Sequence, residues 1–288
     1  MPLANPARAS SAIAALLLAA MVGPWLAVST AHAHEFWLAP SRYRAAIGET
    51  LAVQAWVGTG FRGERKPYAA PRAHRLVMRN ERERDLKQVA AHGDLAFVRW
   101  VVGDPGGASI GYESDFASVV LEPRPFDAYL ETEGLEAARR TRARLGARAG
   151  AGRERYARCP KTWVAGTDPA RATRPLGLTF EIIPETDPTP DGPLAVRLLF
   201  RGRPVADVLV RAWRTELAAA ASPRDAATRD SVGPVVAVRT DRSGRARLPI
   251  KGSGEWLISG VHMTPCSDRG LADWESWWAS LTFARTAP

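Results

Sequence analysis

The sequence predicts a mainly β protein built from two β-sandwich domains with a short helical insertion. Short segments that alternate apolar and polar residues with a period of two, bounded by Gly, Pro, Asn or Asp, indicate half-buried strands. One internal stretch rich in Glu, Ala, Leu and Arg has the composition of a helix instead. A chain of 288 residues is long enough for two domains of ordinary size.

The first 33 residues have the layout of a secretory signal peptide. One basic residue, Arg8, precedes an apolar run over 12–28, and Ala31-His32-Ala33 supplies small residues at a cleavage site. Cleavage after Ala33 would release a periplasmic protein of 255 residues that begins at His34. No later stretch of the sequence has the roughly 18 consecutive apolar residues of a spanning helix, so we expect no transmembrane segment in the mature chain.

Residues 34–165 are predicted to form the first domain, an immunoglobulin-like β-sandwich. Its alternating patterns predict strands at 50–56, 75–79, 95–102 and 118–122. Good helix formers fill the sequence from 126 onward, so we place the helical segment near 131–158, with an interruption at 146–152. The Gly, Asp and Pro residues of 166–175 mark a linker.

Residues 176–288 are predicted to form the second β-sandwich. Alternating segments predict strands at 194–198 and 208–210, and further strands are predicted at 235–239, 245–250 and 255–261. Turn residues at 201–204 and 241–244 separate them. A Gly-x-Pro-Val turn, a Thr-Asp-x-x-Gly turn and a Gly-x-Trp-x-Ile strand together resemble carboxypeptidase regulatory-like and transthyretin-like modules, whose fold alone assigns no function.

The formal net charge of +9 would suit an acidic partner such as nucleic acid. The basic residues are nearly all arginine, however, and they are scattered among Ala, Gly and Pro, while lysine occurs only four times. Aromatic residues that would stack on bases are not interleaved with them. We therefore expect a solvated basic surface and no nucleic-acid partner.

Five segments resemble one family of periplasmic proteins when they are taken in order. They are HEFWLAP at 34–40, GTGFRGERKPY at 58–68, YLETEGLEAARR at 129–140, RERYARCPKTWV at 153–164 and TDRSGRARLPIKGSGEWLISGVHM at 240–263. Their order and spacing are similar to the domain of unknown function 4198 family, often described as a periplasmic component of nickel or cobalt uptake. The resemblance implies a periplasmic β protein that handles a transition metal.

A histidine at the mature N-terminus favours a metal site. After cleavage His34 would offer its α-amine and its imidazole to one ion, and a second imidazole would complete a T-shaped set that suits copper, with nickel as a second choice. His262 beside the thioether of Met263 is the first choice for that partner, and His74 is the second. Glu35 is expected to orient the His34 imidazole or to remain solvated.

The two cysteines and a cluster of aromatic residues leave alternatives open. Cys159 and Cys266 fit an oxidising compartment and are candidates for a disulfide, with soft metal ligation as the rival interpretation. The cluster of Trp274, Trp277 and Trp278 would bind a glycan or protein if it were exposed. Burial is the preferred interpretation, because the final segment resembles a strand that must pack against another element.

The leading hypothesis is therefore a periplasmic protein that binds copper, nickel or cobalt and passes the ion to a membrane transporter or receptor. We find no local motif for catalysis, so no enzyme activity is expected. The alternative is a metal-free adhesive or carrier module that binds a protein or glycan. A copper-dependent oxidase that uses the same N-terminal histidine is a third possibility.

Overall fold

A computed structural model describes residues 35–146, 150–217 and 233–286. The described chain is mainly β, as predicted, and contains two α-helices. In chain order the strands are β1 Glu35–Pro40, β2 Thr50–Thr59, β3 Arg62–Lys66, β4 Ala73–Arg79, β5 Glu83–Asp85, β6 Ala96–Val101, β7 Gly107–Ser114, β8 Ala117–Leu121, β9 Gly152–Ala165, β10 Phe180–Pro184, β11 Leu194–Phe200, β12 Arg203–Pro204, β13 Leu209–Thr215, β14 Val236–Arg239, β15 Arg245–Leu248, β16 Gly254–Pro265 and β17 Trp274–Arg285. The helices are α1 Pro123–Thr132 and α2 Glu136–Leu145.

The strands form three sheets. The central sheet has nine strands in the order β14-β13-β16-β17-β9-β7-β4-β5, with β8 paired to β9. The N-terminal sheet runs β1-β2-β3 with β6 on β2, and the C-terminal sheet runs β10-β11-β12 with β15 on β11. The β17–β9 pair is parallel, and every other strand pair in the three sheets is antiparallel.

The middle strand of the central sheet, β17, is covered on both faces. Trp277, Leu281 and Phe283 pack into the large core that includes residues of the C-terminal sheet. On the other face, Ser280 Oγ and Thr282 Oγ1 donate hydrogen bonds to backbone carbonyls of β1 at 2.7 and 2.6 Å. The strand is buried along its whole length, and its polar residues are buried with the apolar ones: Glu275, Ser276, Ser280, Thr282 and Arg285.

The two predicted halves share the central sheet. Strands β4, β5, β7, β8 and β9 come from the first half, and β13, β14, β16 and β17 come from the second. The described residues form one compact unit. The immunoglobulin-like and transthyretin-like character of the two halves stays a prediction. No helix in the described ranges is long and apolar enough to cross a membrane.

The helical insertion is shorter than the prediction of 131–158. Helix α1 starts at Pro123, α2 ends at Leu145, and Gly134 with a φ of +64° turns the chain between them. From Gly152 onward the chain forms β9 and pairs with β17, so the helix prediction is wrong over 152–158. The charged residues there, which favour a helix locally, lie in a strand because alternate side chains meet two different buried layers.

Candidate functional site

His34, the centre of the predicted metal site, and the predicted signal peptide at 1–33 lie outside the described residues. The next residue, Glu35, begins β1 and is buried. Glu35 follows His34 in the sequence, and the structure shows the surroundings of Glu35. These surroundings are the part of the structure that bears on the predicted site.

His262 lies on β16 and faces the C-terminal sheet. Its ring centroid is 4.6 Å from that of Phe200, 5.8 Å from that of Phe180 and 6.5 Å from that of Trp277. Burial, together with the positive charge of Arg201, lowers the pKa of His262 to about 4. The imidazole is therefore neutral at physiological pH, but a neighbouring guanidinium opposes the binding of a metal cation there.

Met263 does not share a site with His262. Neighbouring residues of a strand point to opposite faces of the sheet, and Met263 packs on the helix side with Phe126 and Leu130 of α1. The predicted association of the imidazole and the thioether around one ion is therefore corrected. The alternation of strand residues would have revealed this from the sequence, since both residues had been placed next to a predicted strand.

His74 is exposed on β4, with Nδ1 at 3.7 Å from Asp115 Oδ1. His92 accepts a hydrogen bond at Nδ1 from the backbone N–H of Ala70 at 3.3 Å. Within the described ranges, no three side chains of His, Cys, Asp or Glu are arranged to hold a metal ion.

The two cysteines are free thiols, and both are buried. Cys159 lies opposite Ala279 in the β9–β17 register, and the backbone N–H of Cys266 donates to Asp273. Six residues of an extended strand span about 20 Å, which separates these two places far beyond disulfide reach. The predicted bridge is therefore not formed. Cys266 Sγ instead donates to the carbonyl of Asp268 at 3.1 Å.

Glu35 belongs to a group of three buried carboxylates and two partly exposed arginines. We call Glu35, Glu133, Glu154, Arg158 and Arg211 the acid cluster. Glu35 is 5% exposed, and its Oε2 has no hydrogen-bond partner among the described residues. Burial, together with the negative charge of Glu133, raises the pKa of Glu35 to about 7.

The other two carboxylates of the acid cluster have named partners. Glu133 Oε2 pairs with Arg211 Nη1 at 2.5 Å. Glu154 accepts hydrogen bonds from Tyr129 Oη at 3.1 Å and from Ser276 Oγ. Burial raises the pKa of Glu154 to about 7 as well, against the opposing effect of these hydrogen bonds.

Arg158 supplies the second positive charge of the acid cluster. Its guanidinium lies 4.9 Å from the ring centroids of both Tyr156 and Trp278, and burial lowers its pKa. The cluster thus places three carboxylates beside two guanidinium groups. Burial raises the pKa values of all three carboxylates, so it favours their uncharged forms.

Of the acid cluster, sequence reasoning singled out only Glu35. The other four members are scattered between positions 133 and 211 and come from α1, β9 and β13 or their ends. Each one taken alone has the appearance of a solvated surface charge. The adjacency of Glu35 to His34 was the signal that pointed to this place.

The aromatic cluster near the C-terminus is buried, which confirms the preferred interpretation. Trp274, Trp277 and Trp278 are 3%, 3% and 4% exposed, and Phe283 is fully buried. Trp278 stacks on Tyr129 of α1, while Trp277 packs against Phe200 on the opposite face. These side chains therefore join layers of the fold and present no aromatic surface.

Comparison with known proteins identifies one family. Residues 31–264 match the profile described as "Domain of unknown function (DUF4198)". No curated protein matches the chain. Among solved structures, the D0-D1 domain of Intimin is similar at 14% sequence identity, with 86% of this chain and 97% of that chain covered and a TM-score of 0.19.

Proposed function

The chain belongs to the domain of unknown function 4198 family, and we propose that it binds one copper, nickel or cobalt ion at its mature N-terminus. The protein would carry this ion in the periplasm and deliver it to a membrane transporter or receptor. The observation that supports the proposal most directly is the acid cluster around the residue that follows His34.

The donor set fits a transition-metal ion. The α-amine and imidazole of His34 provide two nitrogen ligands of the kind that copper and nickel prefer. The buried Oε2 of Glu35 lacks a partner among the described residues, and leaving such an atom unpaired costs about 1–3 kcal/mol or more. A cation beside it would remove that cost.

His262 has no ligand role in this proposal. Glu154, Ser276 and Trp278 of the acid cluster and its surroundings lie on the face of the central sheet that contacts α1. His262 lies on the opposite face, which contacts the C-terminal sheet. A backbone sheet separates the two places, so an ion near Glu35 would be out of reach of the His262 imidazole.

The test is a titration of metal-free mature protein with Cu(II), Ni(II) and Co(II), followed by calorimetry and, for copper, by EPR. Protein that begins at His34 should bind one ion tightly, and one extra N-terminal residue should abolish this binding. Glu35→Gln should weaken binding about tenfold, as loss of a supporting carboxylate does at other metal sites.

His262→Ala and His74→Ala are the matched controls, and both should bind like the wild type. Equal binding by the native and extended N-termini would contradict the proposal. A loss of binding in His262→Ala with no loss in Glu35→Gln would contradict the use of the acid cluster. The adhesive alternative receives no support from the structure, since the tryptophan side chains on which it depended are buried.

A further inference from the structure

Arg201 occupies an unusual backbone position in the hairpin between β11 and β12. Phe200 pairs with Arg203, so the loop contains only Arg201 and Gly202, and both have positive φ, at +51° and +73°. Two-residue hairpins of this kind favour Asn, Asp or Gly at the first position. A left-handed conformation costs an ordinary residue about 1–2 kcal/mol. The fold therefore tolerates strain at Arg201, and strain of this kind is often kept for a functional reason.

The conformation places the guanidinium of Arg201 on two aromatic rings. Its Cζ lies 4.9 Å from the ring centroid of Phe200 and 5.6 Å from that of Trp277. Stacking of this kind holds the flat face of the guanidinium and leaves its N–H edge available. Arg201 is exposed, so this edge can meet a ligand from solvent.

Arg201 has no acidic partner among the described residues. Arg155, which does have one, lies on the same aromatic row, which consists of Phe116, Trp277 and Phe200. Arg155 stacks on Phe116 with Cζ at 4.4 Å from the ring centroid, and it is paired with Glu275. Phe116 contacts Trp277, with centroids 5.7 Å apart. One end of the aromatic row is thus neutralised, whereas the end at Arg201 keeps a net positive charge.

His262 provides a second donor at the same end of the row. Its ring lies 4.6 Å from Phe200, and neither ring nitrogen makes a hydrogen bond within the described part of the chain. The side chain is only partly buried. A neutral imidazole carries one N–H, which can donate to an oxygen atom held by Arg201.

We propose that Arg201 and His262 form a binding site for an oxyanion carried on a flat apolar group, with Phe200 as the apolar wall. The forked edge of a guanidinium matches the two oxygens of a carboxylate or a phosphate, and such charge-assisted pairs are about twice as strong as neutral ones. The partly buried rings of Phe200 and Phe116 would cover the apolar part of the ligand. The site lies on the opposite face of the central sheet from the acid cluster and is independent of metal binding.

The test uses benzoate and phenyl phosphate as probes and benzamide as the neutral control, added to the mature protein. Calorimetry should show saturable 1:1 binding of at least one of the two anions, and the NMR signals of the His262 ring should shift on binding. The better anion identifies carboxylate or phosphate as the natural group. Equal binding of benzamide, or no binding of either anion, would overturn the proposal.

Arg201→Asn is the decisive variant, because asparagine suits the left-handed turn and the hairpin should remain folded. It should weaken anion binding at least tenfold while keeping or raising the melting temperature. Arg203→Ala is the matched control, since it removes an exposed arginine of the same hairpin and should bind the anion like the wild type. Unchanged affinity in Arg201→Asn, or an equal loss in Arg203→Ala, would overturn the assignment.

Discussion

Replacement of Glu154 by glutamine should stabilise the mature protein at pH 8 and have little effect at pH 4.5. Burial raises the pKa of Glu154 from 4.5 to about 7. Between these two pH values the folded protein therefore holds a proton that the unfolded chain releases. The stability that depends on this proton is complete below pH 4.5 and is lost as the pH rises through 7. Glutamine keeps an oxygen that can accept from Tyr129 and Ser276, and it has no charge to bury.

The magnitude follows from the difference between the two pKa values. A change from 4.5 to about 7 spans about 2.5 pH units, and each unit corresponds to about 1.4 kcal/mol. The wild type should therefore lose about 3 kcal/mol of unfolding free energy between pH 4.5 and pH 8 that the variant keeps. Glu35 titrates over the same range in both proteins, so the difference between them reports on Glu154.

Urea denaturation followed by tryptophan fluorescence, at several pH values in the presence of EDTA, measures this difference. Glu185→Gln is a useful control with the opposite sign, because hydrogen bonding to Arg245 lowers the pKa of Glu185. Stability from Glu185 is present above the unfolded pKa and is lost at lower pH, so that variant should be weakened at pH 8. A stability difference between Glu154→Gln and the wild type that does not change with pH would refute the reasoning.

Two further substitutions test the packing of the fold. Gly166→Ala should destabilise the protein by about 1–3 kcal/mol, because a Cβ there would lie 2.1 Å from the backbone nitrogen of Gly107. Gly103→Ala is the control. A Cβ at Gly103 would have no atom within 4 Å, so this variant should leave the urea midpoint unchanged. Lys161→Met should cost about 3 kcal/mol or more by leaving Glu181 buried without its partner at 2.8 Å. Lys161→Met combined with Glu181→Gln should recover part of that loss, and no recovery would argue against an uncompensated charge.

The sequence by itself determined the β class and most of the strands. Alternation with a period of two located β2, β4, β6 and β8 in the first half, and β11 and β13 to β16 in the second. Strand β2, for example, alternates between buried and more exposed residues, so its sequence carries the pattern directly. The order of five motifs also identified the family, which the match over residues 31–264 confirms.

Tertiary structure decided that the residues of β9 form a strand and not a helix. Its residues from 153 to 158 are mostly charged, and their local preference is helical, yet both faces of this strand meet other layers. The neighbours β17, β7 and β8 pair with its backbone along most of its length. A local pattern cannot contain this information, because every one of those partners is distant in the chain.

The candidate site, like the fold, was predicted only in part from the sequence, and the tertiary structure decided the rest. Adjacency in the sequence placed Glu35 beside the predicted metal-binding His34, but it gave no hint that Glu133, Glu154 and Arg211 would surround it. His262 was the first choice for the second imidazole because it follows a predicted strand and lies next to Met263. The structure puts it across the central sheet among aromatic rings and beside Arg201. Residue types reveal what chemistry a side chain can perform, whereas burial and charge balance depend on long-range packing that brings remote parts of the chain together.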